Sequence, residues 1–360
     1  MLRPQIVDED TDGDDPPAGD DEPGEDGPLA GTLHRDGPGA GLGLHRTEHA
    51  EPGHPSNLLL IEHSSAPRRL CRMRINGFDY QQVPVADGVT LNTAVGGDGP
   101  PVVLLHGFPQ THLMWRHVAA DLAADHTVIC PDLRGYGASS KPAGTDAYAK
   151  RVMAADVVAL ARALGHDRFA LAGHDRGALV AFRAGLDHPD AVTHLASLDV
   201  LPTLDMWDVM HGTTAAIGFH LYLMAQPPGL PETMIGASPD AFFGYFLDLW
   251  ARDPAAIPGA VREAYLAASR AAVPSIVADY RASAGVDVEH DQADRAAGTT
   301  LRMPVSVLQQ DWGAALGFDA AALWRAWAPD LEHTTVTCGH FMAEEAPTEV
   351  VRAIRALLAR

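Results

Sequence analysis

The sequence predicts an α/β fold: a mostly parallel sheet flanked by helices, with a helical cap inserted late in the chain. Three observations carry this. Short apolar runs alternate with helical patterns between Val102 and Leu198, as expected of parallel strands buried on both faces and joined by crossover helices. The stretch LAGHDRGALV, Leu171 to Val180, passes from an apolar run through Gly173-His174-Asp175-Arg176-Gly177 straight into a helical pattern, which reads as strand, sharp turn and helix. After Asp199 the alternation stops for about a hundred residues of helix-like sequence and then resumes.

The elements follow in order. Residues 1–72 are rich in Asp, Glu, Gly, Pro and His with almost no periodicity, and are expected to be a disordered acidic extension. Its alternatives are an acidic interaction tail, or Met73 as the true start of the protein. Tyr80–Val85 and Val89–Val95 read as two strands joined at Ala86-Asp87-Gly88. Val102–Leu105 is a buried strand ending at His106-Gly107-Phe108-Pro109, and a helix with Met114, Trp115, Val118 and Leu122 follows. Thr127–Cys130 is the next strand, leading into DLRGYGAS; Tyr148–Leu164 is helical. Val192–Leu198 is a strand closing at Asp199. Beyond the helical stretch come a strand at Val305–Leu308, a helix around Leu323, a strand at Thr334–Thr337 and an amphipathic helix from Thr348 to Leu358. The core is therefore expected over 73–200 and 298–360, and the cap over 201–297.

Composition narrows the function. Of 360 residues, 46% are apolar, enough for a large core, and the formal net charge of −21 argues against nucleic acid or an anionic membrane as partner. The three cysteines, Cys71, Cys130 and Cys338, are sparse and lack metal-ligand spacing, which points to a reducing compartment, no disulfide framework and no metal. No run reaches transmembrane length and the N-terminus lacks a signal-peptide pattern, so a cytoplasmic protein is expected.

Three residues then fall in the order nucleophile, acid, histidine: Asp175 at the turn, Asp199 at the end of the next strand, and His340 after the last strand. This is the chain order of an α/β-hydrolase triad. Asp311, after Val305–Leu308, is an alternative partner for His340, because that strand end also carries the acid in relatives of this fold. The main-chain N–H groups of Phe108 and Arg176 are placed to form an oxyanion hole. Aspartate at the turn selects the chemistry. A serine attacking saturated carbon would form an ether that water cannot easily cleave, whereas a carboxylate forms an ester that a histidine-activated water can hydrolyse. The competing structural role for Asp175 is a helix N-cap.

With HGFPQTHLMWRHVA, DLRGYGAS, LAGHDRGA, LDVLPT, LMAQP, DYRA, VEHD and CGHFMAEEAP in place, the chain from about Gly96 onward resembles the haloacetate (fluoroacetate) dehalogenases of the α/β-hydrolase superfamily. The resemblance implies Asp175 as nucleophile, His340 as base and Asp199 as its orienting acid. It implies Arg176 as a carboxylate ligand, His220 and Tyr280 as halide ligands, Trp250 as a pocket wall, no cofactor, a small-molecule substrate and a possible homodimer. His220 could instead be a structural histidine, and Tyr280 and Trp250 plain core aromatics; His112 and His174 read as structural. Two positions depart from the family. Leu179 stands where the family has a second carboxylate-binding arginine, and Leu221 where it has a halide-binding tryptophan; Arg183, one turn after Leu179, is poorly placed to compensate. The expected activity is hydrolysis of a small haloacid. The runner-up is an epoxide hydrolase with Tyr280 plus Tyr222 or Tyr245 as proton donors, and a non-catalytic binding protein on this fold is a third reading.

Overall fold

Eight strands form one sheet in the order β1-β2-β4-β3-β5-β6-β7-β8. They are β1 (Asp79–Ala86), β2 (Val89–Gly96), β3 (Pro101–Leu105), β4 (Thr127–Pro131), β5 (Phe169–His174), β6 (Val192–Leu198), β7 (Val305–Gln309) and β8 (Leu331–Thr335). The computed structural model describes residues 73–360; the expectations for 1–72, and Cys71, lie outside the described residues. The β1–β2 and β2–β4 pairs are antiparallel and all other pairs parallel.

The central strands are the apolar ones. Val103, Leu104 and Leu105 of β3 are wholly buried, as is β5 throughout, because helices cover both faces. Helices α1 (Arg116–Leu122), α2 (Lys150–Ala163) and α3 (Arg176–Asp187) connect the first half of the sheet. Helices α4 (Thr203–Val209), α5 (Phe219–Met224), α6 (Leu230–Ala237), α7 (Pro239–Leu249), α8 (Gly259–Arg270), α9 (Val273–Ser283) and α10 (Val286–Ala297) lie between β6 and β7, with no strand among them. Helices α11 (Trp312–Leu316), α12 (Ala320–Arg325), α13 (Met342–Glu345) and α14 (Pro347–Leu358) complete the chain. Among the described residues no helix is long and apolar enough to cross a membrane.

The last strand differs from its sequence expectation. It runs Leu331–Thr335, paired Val305↔Leu331 through Gln309↔Thr335, and not Thr334–Thr337. It is an edge strand whose side chains are all partly or fully exposed, so it lacks the apolar run that marks a central strand. Val336 and Thr337 already belong to the loop that carries His340.

Candidate active site

The turn at Asp175 joins β5 to α3. Asp175 has φ 47° and ψ −117°, a conformation that costs a residue with a Cβ free energy and that is enriched at functional sites. Its neighbours enforce the turn. A Cβ at Gly177 would lie 2.4 Å from the His106 carbonyl oxygen, and a Cβ at Gly107 would lie 2.6 Å from the Asp175 Cβ. The His106-Gly107-Phe108-Pro109 turn is therefore packed directly against the Asp175 turn. Asp175 occupies the N-cap position of α3, yet its side chain makes no capping hydrogen bond. The N-cap role is set aside.

His106 explains why the first turn holds its shape. Its Nε2 accepts from Leu133 N–H at 3.0 Å and its Nδ1 pairs with the Gly107 carbonyl at 3.0 Å. Burial pushes its pKa down to about 4, so the ring is neutral and structural. His112 and His174 make structural contacts of their own: His112 Nδ1 binds Asp132 at 2.7 Å, and His174 Nε2 binds the His340 carbonyl at 2.8 Å.

Asp199 also has positive φ, 53°, at the C-terminal end of β6. Its carboxylate accepts from four donors: Gln310 N–H at 2.9 Å and Trp312 Nε1–H at 3.0 Å on Oδ1, and Gln310 Nε2 at 2.8 Å and His340 Nδ1 at 2.7 Å on Oδ2. Asp311 is exposed and Asp199 is the acid on the imidazole. The other ring nitrogen, His340 Nε2, is buried with no protein partner among the described residues. Burial works to lower the His340 pKa, but the hydrogen bond and charge of Asp199, helped by the charge of Asp175, outweigh it and raise the value above its ordinary one. Asp175 is 8% exposed, and burial lifts its pKa to about 6 against the opposing charges of His340 and Arg176.

The wall opposite is aromatic and comes from the segment between β6 and β7. The Phe108 ring has centroids of His220 at 6.1 Å, Trp250 at 6.2 Å and Tyr280 at 5.3 Å around it. Trp250 stands 4.8 Å from the His340 ring, and its carbonyl accepts from His340 N–H at 2.9 Å. His220 is buried with Nδ1 lacking a partner among the described residues, and burial holds its pKa down to about 3, so it is uncharged. The Tyr280 hydroxyl is held protonated by burial and by the nearby Asp175 charge.

Arg176 is engaged within the protein. Its Nε donates to Asp279 Oδ2 at 2.8 Å, and its Nη2 donates to Asp279 Oδ1 at 3.0 Å, the Asp279 carbonyl at 2.9 Å and Ser283 Oγ at 2.7 Å. The same Asp279 accepts from Tyr136 OH at 2.6 Å and from Lys150 Nζ, while Lys150 also faces Asp287 at 3.5 Å. The guanidinium further covers the Tyr280 ring at 4.1 Å from its centroid. Arg176 thus fastens α3 to α9 through Nε and Nη2, and only Nη1 is left without a protein acceptor among the described residues. Asp279 and Lys150 were missed by sequence reasoning; the available signal was an acid directly before Tyr280 in DYRA. Gln310 and Trp312 were missed likewise.

The remaining positions make contacts of their own. Leu179 packs with Ala178, Val200 and Met206. Arg183 is taken up by Asp187, Asp291 and Asp294. The Tyr222 hydroxyl donates to the Met210 carbonyl, and Tyr245 is 46% exposed beside Phe219. Neither tyrosine joins Tyr280, which corrects the two-tyrosine arrangement of the runner-up reading. Cys130 and Cys338 are buried and not disulfide-bonded, and no cluster of metal-ligating side chains occurs among the described residues.

The profile of the alpha/beta hydrolase fold matches residues 100–227. The fluoroacetate dehalogenase of a Burkholderia species is 39% identical over 305 residues, which span 78% of this chain and 94% of that protein. The chain belongs to the haloacetate (fluoroacetate) dehalogenase family of the α/β-hydrolase superfamily. The soluble epoxide hydrolase of Corynebacterium sp. (strain C12) is 33% identical over 273 residues, 74% of this chain and 92% of that one. Among solved structures, an α/β-hydrolase-fold protein of Nostoc sp PCC 7120 superposes with a TM-score of 0.76 at 39% identity, covering 79% of this chain and 99% of its own. These family relatives make this chain an α/β-hydrolase-superfamily enzyme; the bond it cleaves is a separate matter.

Proposed function

We propose that this enzyme cleaves carbon–halogen bonds at saturated carbon through an aspartyl ester. The observation that carries the reading is a carboxylate, Asp175, held at the strained turn, together with a His340 Nε2 that has no protein partner among the described residues. Asp175 attacks the carbon as the halide leaves with the bonding pair, giving an alkyl ester. His340, with Nδ1–H bound to Asp199, takes a proton from water at Nε2. That water adds to the ester carbonyl, the oxyanion is met by the N–H groups of Phe108 and Arg176, and collapse releases the alcohol and restores the carboxylate. The net change is R–X + H2O → R–OH + H+ + X−. Tyr280 OH and His220 are the groups available to the departing halide.

Rapid quench of the enzyme with haloacetates or haloacetamides, followed by mass spectrometry of the Asp175 peptide, tests this. An adduct on Asp175, and heavy-oxygen label in its carboxyl after turnover in labelled water, are expected. An unmodified peptide during halide release would refute the ester.

A second reading, epoxide opening, is supported by the buried, protonated hydroxyl of Tyr280, which could protonate the ring oxygen. Diol formation from styrene oxide without halide release from any haloacid or haloamide would favour it.

A further inference from the structure

We infer that the site accepts an uncharged substrate, a neutral α-halo carbonyl compound such as a haloamide, in preference to a haloacid, because its one arginine is already paired with Asp279. This rests on the carbon–halogen reading above and names the substrate class for it.

The charges around Asp175 decide the matter. The buried cluster of Arg176, Lys150, Asp279 and Asp287 holds two cations and two anions, all on side chains no more than 3% exposed. It is neutral as a unit. Arg176 Nε and Nη2 are both engaged within it, so Nη1 is the one guanidinium nitrogen without a protein acceptor among the described residues. Nη1 keeps two N–H donors on one nitrogen, which an amide oxygen can accept; a carboxylate is best met by parallel donors from two nitrogens and asks for a compensating charge.

Among the described residues, the neighbouring positions of α3 and His220 do not supply that charge. Leu179 is apolar and packs on Val200, the residue after Asp199. Arg183 points to Asp187, Asp291 and Asp294. His220 is uncharged and flanked by Phe108, Phe246, Trp250 and Tyr280. A substrate carboxylate would sit one carbon from the attacking Asp175 carboxylate, in a site where burial already disfavours that single charge. A neutral amide of almost the same shape meets no such repulsion.

The test uses the full-length protein and two near-isosteric substrates, chloroacetamide and chloroacetate, followed by chloride release. An Asp175→Asn sample subtracts thiol alkylation, and each rate is divided by that substrate's rate with a free carboxylate in solution. The normalised kcat/KM is expected to favour chloroacetamide by about 100-fold, on the scale of two like charges a few ångströms apart at a partly buried site. Equal rates, or a preference for chloroacetate, with an adduct on Asp175 would overturn the inference and leave the ester mechanism standing. No chloride and no Asp175 adduct from either compound would overturn the mechanism and the inference with it. Leu179→Arg, which adds a cation one turn along α3, is expected to shift the ratio at least about tenfold toward chloroacetate. A folded Leu179→Arg protein with an unchanged ratio would also count against the inference.

Discussion

Asp199→Asn should separate the two halves of the reaction. Asp199 accepts four hydrogen bonds, two on each oxygen, and an asparagine has one acceptor oxygen. Gln310 N–H and Trp312 Nε1–H both aim at Oδ1, and the first is fixed main chain. The amide oxygen therefore takes the Oδ1 place and the NH2 group faces His340. Nδ1 must then accept, its proton moves to Nε2, and the atom that should take a proton from water already carries one. Ester hydrolysis should fall by about 10³–10⁴, the scale seen when a buried acid is replaced behind a catalytic histidine. Ester formation needs only the Asp175 carboxylate and should change by less than about tenfold. Quenched-flow mass spectrometry would find nearly every Asp175 esterified, with a burst of about one halide per enzyme. Equal slowing of formation and hydrolysis, or no accumulation, would refute the assignment of Asp199.

Asp175→Asn should abolish halide release and stabilise the fold. The Asp175 pKa is about 6 in the folded state against an ordinary 3.8, so the folded state binds more protons and wild-type stability falls as pH rises between those values. Urea unfolding at pH 7.5 should show the variant more stable by up to about 3 kcal/mol, with the gap shrinking toward pH 4. Tyr280→Phe should slow release of the halide about 10–100-fold, more for fluoride than bromide, because fluoride depends most on a donated hydrogen bond; single-turnover halide release reads this. Gly177→Ala places a methyl group 2.4 Å from the His106 carbonyl oxygen and should lower stability by about 2–3 kcal/mol in urea titration, with loss of activity as the turn shifts.

Much of this was legible because the information is local. The strand, turn and helix at Phe169–Val180 lie within a dozen residues, and the order Asp175, Asp199, His340 follows from strand ends that any parallel sheet brings to one edge. The fate of Arg176 was not legible. Its partner Asp279 lies 103 residues away, and nothing in a helical pattern says whether a charged residue beside a buried tyrosine faces solvent or a cation. The same limit hid the directions of Tyr222 and Tyr245, since short helices do not fix which way a ring points. The eighth strand was misplaced because an exposed edge carries no apolar signature.

The Arg176–Asp279–Lys150–Asp287 cluster also has a mechanical meaning. It pins α9 and α10 to α2 and α3, and lifting that half away would strand dry charges with nothing to replace their partners. Helices α5 and α6 have no such rivet to the sheet-flanking helices among the described residues; Phe219, at the start of α5, meets Phe242, Tyr245 and Phe246 edge-on or stacked. Ring contacts slip past one another far more readily than buried ions separate. The buried ions therefore hold the α9–α10 half of this segment to the sheet-flanking helices more firmly than ring contacts hold Phe219 of α5 to its neighbours.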